Sequence, residues 1–123
     1  MIKQVLVVAA GGAIGAVLRY LNFKAMTHFF GNSMPWATLL VNVVGCFLMG
    51  MAYIWLIDKY QASEHMRLFI MIGFLGGLTT WSTFSMETVL MMTDGEYMKG
   101  FIYILSTFIL CFFAFFIGMK ISS

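Results

Sequence analysis

Ten residues of the third apolar segment combine paired glycines, five hydroxyl side chains and two aromatic rings. They are residues 76–85, with the sequence GGLTTWSTFS. Lipid offers no hydrogen-bond partner to a freed backbone group, so a helix breaks at membrane depth only where it is buried in protein or lines a wet cavity. The segment therefore predicts a broken helix that handles an ion or a small solute.

The two halves of such a helix present opposite electrostatic ends. The first half exposes carbonyl oxygens, which suit a cation, and the second exposes N–H groups, which suit an anion. Unwound carbonyls that coordinate Na⁺ beside half-helix dipoles are known in membrane transport proteins. The alternative is a glycine notch for helix packing, with the threonines bonding back to their own helix.

Four residues after the break follow the spacing i, i+3, i+4, i+7 and are predicted to share one helix face: Trp81, Phe84, Ser85 and Thr88. An aromatic ring is positive at its edge, so a ring turned edge-on favours an anion without carrying a formal charge. Two aromatics at this spacing are also typical of core packing or lipid contact. The adjacent hydroxyls favour ion recognition.

Further polar groups lie inside the second and fourth segments. Asn42 is too deep to reach water, so its amide must point into a pore or bond to another helix. Tyr103, Thr107 and Cys111 recur every four residues and form a mildly polar stripe. Thr107 alternatively bonds back to its own helix. Cys46 and Cys111 both lie in apolar segments, so the sequence indicates no disulfide or metal framework.

Glu87 and Arg19 are the two ionisable residues inside the apolar segments, and such residues are functional candidates. Glu87 is expected to guard a pore mouth, to pair with Arg19 or to face the headgroups. Arg19 lies near a segment end, where snorkelling to the interface also explains it. The sequence contains no catalytic triad pattern, paired carboxylates or Walker-type glycine loop. We therefore do not expect an enzyme.

Four long apolar stretches occupy nearly the whole chain. The 123 residues are 62% hydrophobic and 10% charged, and their mean hydropathy is +0.94. A helix needs about 20 apolar residues to cross the hydrocarbon. The stretches that qualify are 4–23, 36–57, 68–92 and 100–119. We predict an all-α fold in which residues 1–123 form a single transmembrane domain of four helices, the third broken mid-membrane.

The basic residues are almost evenly divided between the two sides of the predicted bundle, so they favour neither orientation strongly. One side of the predicted bundle carries Lys3, Lys59, Arg67 and Lys120, and the other carries Arg19, Lys24 and Lys99. Because orientation follows the excess of Lys and Arg on the cytoplasmic side, we expect the chain to insert both ways. Two opposed copies then pair about a two-fold axis in the membrane plane. The alternative is a single orientation set by a weak bias or a partner.

Small residues are spaced for close helix contact. Gly11 and Gly15 form a G-x-x-x-G pattern, and the second segment adds Gly45 and Gly50. Helices in lipid associate through such surfaces because a small residue lets two backbones approach. We expect these glycines to pack helices, with part of the surface serving a dimer.

These residues resemble the Fluc, or CrcB, family of fluoride channels. The similarity runs along all four segments and depends most on residues 76–85, on Asn42 after the sequence PWATLLV, and on Gly11 and Gly12 leading to Arg19. The resemblance implies a dual-topology homodimer with two fluoride pores and a structural Na⁺ at the two-fold axis. It also implies passive fluoride export across the inner (plasma) membrane of a bacterium, as a multi-pass protein that lowers cytoplasmic fluoride.

The resemblance also assigns site residues. It places the Na⁺ on backbone carbonyls of Gly76 and Thr79. The residues it assigns to the fluoride pore are Asn42, Trp81, Ser82, Thr83, Phe84, Ser85, Glu87, Tyr103 and Thr107. Trp81 departs from the family, which has phenylalanine there. Indole is larger and adds an N–H donor, so we expect an altered rate or affinity, or else a narrower pore.

Two rival functions remain at this stage. A small multidrug-type exporter coupled to protons is also a four-span, dual-orientation dimer, but it depends on a carboxylate in its first span. No Asp or Glu precedes Asp58 here, which counts against that rival. The other rival is a structural membrane subunit without transport.

Overall fold

Every regular element of the chain is a helix. A computed structural model describes all residues from Met1 to Ser123. Helix α1 is Ile2–Phe30, and α2 runs from Trp36 to Lys59, with wider i→i+5 turns over Tyr53–Lys59. Helix α3 consists of three consecutive pieces, Glu64–Arg67, Leu68–Leu75 and Gly76–Leu78. Helix α4 is Trp81–Thr93, and α5 is Tyr97–Ser122.

Four helical segments are long and apolar enough to cross a membrane. They are Ile2–Phe30, Trp36–Lys59, Glu64–Thr93 and Tyr97–Ser122. The predicted all-α class and the number of spanning helices are therefore confirmed, and the chain is a multi-pass membrane protein. A helix suits a lipid environment because it satisfies most backbone hydrogen bonds within its own segment.

The helices are longer than the predicted spans. Helix α1 continues past residue 23 to Phe30 and stops at Gly31, whose φ of 75° is open to glycine and whose N–H bonds to the Thr27 carbonyl. The prediction ended each span at the edge of an apolar run. The helix continues further because its backbone stays hydrogen-bonded beyond the hydrocarbon, where polar side chains are equally well accommodated.

Glycines bring the helices together in two pairs. A Cβ on Gly11 or Gly15 would collide with the α3 backbone near Phe74, so α1 and α3 touch through their main chains. In the other pair, Gly50 lies against the backbone at Phe115, and Gly118 lies against the backbone at Phe47. The expected helix packing is confirmed, and these glycines serve contacts within the chain.

Between α3 and α4 the helical conformation is interrupted. Thr79 has φ −84° and ψ 157°, and Thr80 has φ −149° and ψ 118°, so both are extended. The Thr80 side chain caps the next helix, because its hydroxyl accepts a hydrogen bond from the Thr83 N–H at 3.1 Å. The interruption falls inside residues 76–85, where the sequence predicts it.

The chain encloses only a small core. Twenty of its 123 residues are buried, and α1 contributes only Gly11 and Gly15 to that set. Large apolar side chains on every helix remain exposed on the single chain. Lipid or another subunit must cover these faces.

Candidate functional site

Asn42 holds the interrupted backbone in place. Its Oδ1 accepts a hydrogen bond from the Thr80 N–H at 2.8 Å, and its Nδ2 donates to the Thr80 carbonyl at 3.1 Å. Asn42 is 8% exposed, so these bonds form away from water. Of the two roles predicted for this amide, the structure shows the bond between helices. A primary amide has two N–H donors, and only one is engaged here.

The interruption withdraws helical hydrogen-bond donors from several carbonyl oxygens, among them those of Gly76 and Thr79. In a continuous helix the Thr80 N–H would bond to Gly76 and the Thr83 N–H to Thr79. The first donates instead to Asn42, and the second donates to the Thr80 hydroxyl. The Gly76 and Thr79 oxygens are therefore left to accept other partners.

Both readings of the glycine and threonine segment hold at once. The Thr79 hydroxyl donates back to the Leu75 carbonyl at 2.9 Å, as the packing alternative predicts. Gly77 meets the α1 backbone at Gly12 and Ala16, so it forms a packing notch. The extended backbone at Thr79 and Thr80 nevertheless breaks the helix directly after that notch.

Arg19 stabilises the end of α3. Its Nε donates to the Gly77 carbonyl at 3.0 Å. A cation near the C-terminal carbonyls of a helix is favourable, because those oxygens carry partial negative charge. Arg19 forms no ion pair with Glu87, and its bond to Gly77 gives it a role other than snorkelling.

Glu87 joins α4 to α5. The Tyr103 hydroxyl donates to Glu87 Oε1 at 2.9 Å, and Tyr103 is 5% exposed. Glu87 also lines a cavity of about 280 Å³ at the end of the bundle, together with Asp94, Glu96 and Lys99. Glu87 therefore lies near one end of the bundle and is bonded to a second helix.

The aromatic side chains of α4 and α5 form a connected set. Phe84 lies 5.1 Å from both Trp81 and Tyr103, between ring centroids, at interplanar angles of 59° and 67°. Trp81 meets Phe108 at 6.1 Å and 81°. In the edge-to-face pairs the positive edge of one ring meets the negative face of the other, which favours the arrangement.

The residues predicted to share one face of α4 differ in their exposure. Phe84 and Thr88 are buried, whereas Trp81 is 66% exposed. Trp81 begins the helix, next to the extended residues, so less of the chain packs over it. Phe108 was not predicted, because it lies in a phenylalanine-rich helix where nothing in the sequence sets it apart.

The hydroxyl groups fall into two classes. Thr80 Oγ1 lies 3.2 Å from both Ser82 Oγ and Thr83 Oγ1, so these three form one hydrogen-bonded cluster. Ser85 and Thr88 donate to the carbonyls four residues earlier in their own helix, at 2.9 and 2.8 Å. Only the hydroxyls of the cluster bond to one another instead of to a carbonyl of helix α4.

Thr107 stands apart from both classes. Its hydroxyl is buried and has no hydrogen-bond partner, and the residue is 6% exposed. The alternative in which Thr107 bonds back to its own helix is therefore wrong. A buried hydroxyl without a partner is unfavourable, and such groups often mark the place of a ligand or a water.

One cavity brings several of the predicted residues together. It has a volume of about 320 Å³, and its walls include Asn42, Thr79, Trp81 and Thr107. A second cavity, of about 290 Å³, lies on the other side of Thr80 and is lined by Thr83 and Arg19. Glu87 lies at the separate cavity at the end of the bundle.

Comparison with known proteins gives matches along nearly the whole chain. Residues 6–119 match the family described as CrcB-like protein, Camphor Resistance (CrcB). A protein of Hahella chejuensis is 41% identical over 121 residues, which is 98% of this chain and 95% of the relative. Proteins of Shewanella loihica and Rhizobium etli are each 44% identical, over 97% and 96% of this chain and 95% and 94% of the relatives. All three relatives are named fluoride-specific ion channel FluC.

Proposed function

This chain belongs to the CrcB family, and we propose that it is a fluoride-specific ion channel that lets fluoride leave the cell passively. The observation that carries this function is the similarity, over nearly the full length of both chains, to proteins named fluoride-specific ion channels. The same relatives support the expectation that the protein is a channel and not an enzyme. We place it in the inner membrane of a bacterium, since these relatives are bacterial.

We assign the fluoride path to the uncharged groups around the interruption. The residues in it are Asn42, Trp81, Ser82, Thr83, Phe84, Ser85, Tyr103 and Thr107, with Glu87 at the mouth. Support comes from the cavity shared by Asn42, Trp81 and Thr107, and from the unpartnered Thr107 hydroxyl. A free hydroxyl and a spare amide N–H can replace part of the hydration shell of a small anion.

Uncharged donors suit conduction because they hold an anion only loosely. Conduction requires binding firm enough to strip water and weak enough, or divided among enough sites, for the ion to leave. The connected rings of Trp81, Phe84 and Phe108 extend the anion-compatible surface without adding a fixed charge. A basic side chain in the same place would bind fluoride more tightly and slow its release.

A structural Na⁺ fits the carbonyls of Gly76 and Thr79. Na⁺ is a hard cation and takes oxygen ligands, and these two oxygens have lost their usual helical donors. Arg19 and Asn42 donate to the neighbouring carbonyls of Gly77 and Thr80, so those two oxygens are already engaged. When bound, a cation there would offset the negative end of α3.

We further propose that two copies in opposite orientations form the channel. Thr80 and Ser82 present polar groups at the interruption, and Trp81 beside them is 66% exposed. Lipid offers no partner for the remaining hydrogen-bonding capacity of these groups, so another protein surface is expected to cover them. A two-fold axis would bring the Gly76 and Thr79 oxygens of both copies to the same place.

The passive mechanism is tested by fluoride efflux from reconstituted vesicles. Efflux is followed with a fluoride electrode, with and without a protonophore that collapses any proton gradient. A channel gives the same initial rate whether or not a pre-formed proton gradient is present, as long as the membrane potential is held at zero. A rate that disappears with the proton gradient would instead support the exporter, and vesicles without flux would support a structural subunit.

A further inference from the structure

The chain has two cysteines, and the packing of α2 against α5 brings them together. Cys46 lies four residues before Gly50, and Cys111 lies four residues before Phe115. The carbonyl of Phe115 is the group against which Gly50 packs. Each cysteine is therefore one helical turn from the same close contact, on facing sides of the two helices. Both thiols are free.

Both thiols line the cavity of about 320 Å³ that also contains Asn42 and Thr107. An independent feature indicates that this cavity accepts a ligand. The Thr107 hydroxyl, one turn before Cys111, is buried without any hydrogen-bond partner. A donor in that position can bond to a sulfur ligand or to a group bound beside it.

We propose that Cys46 and Cys111 form a two-thiolate site for a soft metal ion that prefers linear coordination, such as mercuric ion. Thiolate is the soft ligand that selects such ions over hard ones. The chain has no group of three or more His, Cys, Asp or Glu side chains that could hold a metal, so a tetrahedral zinc site lacks ligands. Two thiols that face each other suit a two-coordinate ion.

The charge of the product favours a divalent ion. On binding, two S–H bonds break, two mercury–sulfur bonds form and two protons pass to water, with no change in oxidation state. The resulting dithiolate complex is neutral, which avoids burying a charge between apolar helices. A monovalent soft ion would leave one net negative charge on the same site.

Mercuric ion bound at this site is expected to block the fluoride path. An ion held between the thiols lies in the cavity that we assign to conduction, one turn from both Asn42 and Thr107. The block depends on the proposed function, whereas metal binding does not. The two parts of the proposal can therefore fail separately.

Metal binding is measured on the purified full-length protein in detergent. Mercuric ion is added, excess monothiol removes weakly held metal, and mercury per subunit is determined by native mass spectrometry. Wild type is expected to retain one ion per subunit. The variants Cys46→Ala and Cys111→Ser each keep one thiol and are matched controls for single-thiol binding. The affinity of each variant for mercuric ion is expected to be at least ~100-fold lower than that of wild type. Loss of a group that only supports a ligand lowers metal affinity by up to ~100-fold, and here a ligand itself is lost.

Equal retention by either single-cysteine variant, or two ions per wild-type subunit, would overturn the two-thiolate site. Circular dichroism and size-exclusion profiles show whether each variant is folded. If one variant fails to fold, the other still tests the site, because each removes one ligand.

A second readout uses the same protein in vesicles, with each variant compared with its own untreated flux. Mercuric ion is expected to bring wild-type fluoride efflux to the level of empty vesicles and to leave most of the flux of both variants. Retention of one ion with unchanged wild-type flux would keep the metal site and move the fluoride path out of this cavity. Loss of flux without retained metal would contradict the site itself.

Discussion

The Asn42 side chain and the Thr80 backbone exchange two hydrogen bonds, at 2.8 and 3.1 Å. The amide of Asn42 therefore pairs with the N–H and the carbonyl of Thr80, as a neighbouring strand does in a sheet. An extended residue between two helices needs such a partner, because lipid supplies none. This pair explains how α3 and α4 can be separated without leaving the Thr80 peptide unsatisfied.

Replacing Asn42 with alanine tests this relationship. Asn42→Ala leaves the Thr80 N–H and carbonyl both unpaired, and each buried unpaired group costs about 1–3 kcal/mol. We expect a lower thermal unfolding temperature in detergent and a reduced fluoride efflux.

Asn22→Ala is the matched control for Asn42→Ala. Asn22 also donates an amide hydrogen bond to a backbone carbonyl, that of Ala37, at 3.1 Å, but it makes no hydrogen bond to the interrupted backbone. We expect it to lose stability by a smaller amount and to retain flux. Equal loss of flux in both variants would mean that the effect is not specific to Thr80.

Gly77→Ala tests the contact that positions the end of α3. A Cβ at Gly77 would lie 2.7 Å from the Gly12 carbonyl oxygen and 3.3 Å from the Ala16 nitrogen, and backbone atoms cannot move aside. Such overpacking costs about 1–3 kcal/mol. We expect a lower unfolding temperature, measured by the loss of helical circular dichroism on heating.

Gly12→Ala provides the comparison. A Cβ there meets only the Gly73 oxygen at 3.8 Å, which is an ordinary contact. We expect little change, or a small gain from the better helix propensity of alanine. If both variants lose the same stability, the notch at Gly77 does not set the separation of α1 and α3.

Tyr103→Phe removes the hydroxyl that joins α5 to Glu87. The loss leaves a part-buried acceptor on Glu87 without its donor, at a cost of about 1–3 kcal/mol. Because the freed carboxyl group can then turn toward the pore mouth, we expect slower fluoride efflux from vesicles. Tyr97→Phe changes the same group on a residue that is 66% exposed and should leave efflux unchanged.

Labelling from each side of the membrane tests dual orientation. Ser33→Cys, in a chain that lacks both native cysteines, introduces one thiol into the exposed connection between α1 and α2. We expect a membrane-impermeant maleimide to label about half of the protein from either side, since the basic residues are nearly balanced. Complete labelling from one side alone would be the opposite result and would exclude antiparallel pairing.

The location of the helix interruption was predictable from sequence, because Gly76, Gly77 and the following threonines stand out in an apolar run. Its partner was not. Asn42 is separated from Thr80 by 38 positions, and only the packing of α2 beside the interruption brings them together. The sequence therefore left two roles open for the amide.

Other features lay beyond sequence reasoning for physical reasons. Apolar composition marks the stretch that crosses the hydrocarbon, so it does not show that α1 continues as a helix to Phe30. The pairing of Cys46 with Cys111 depends on the register of two helices, which is set by Gly50 and Gly118. Each cysteine precedes one residue of the Gly50–Phe115 contact by one helical turn. That spacing is the one signal of the pairing that the sequence contains.

The most direct test compares fluoride with chloride efflux from vesicles that contain the wild-type protein, with the membrane potential clamped by valinomycin. Fluoride is expected to leave rapidly and chloride at the rate of protein-free vesicles, because the hydroxyls and ring edges at the interruption replace the hydration of only a small anion. Chloride efflux as fast as fluoride efflux would contradict the account.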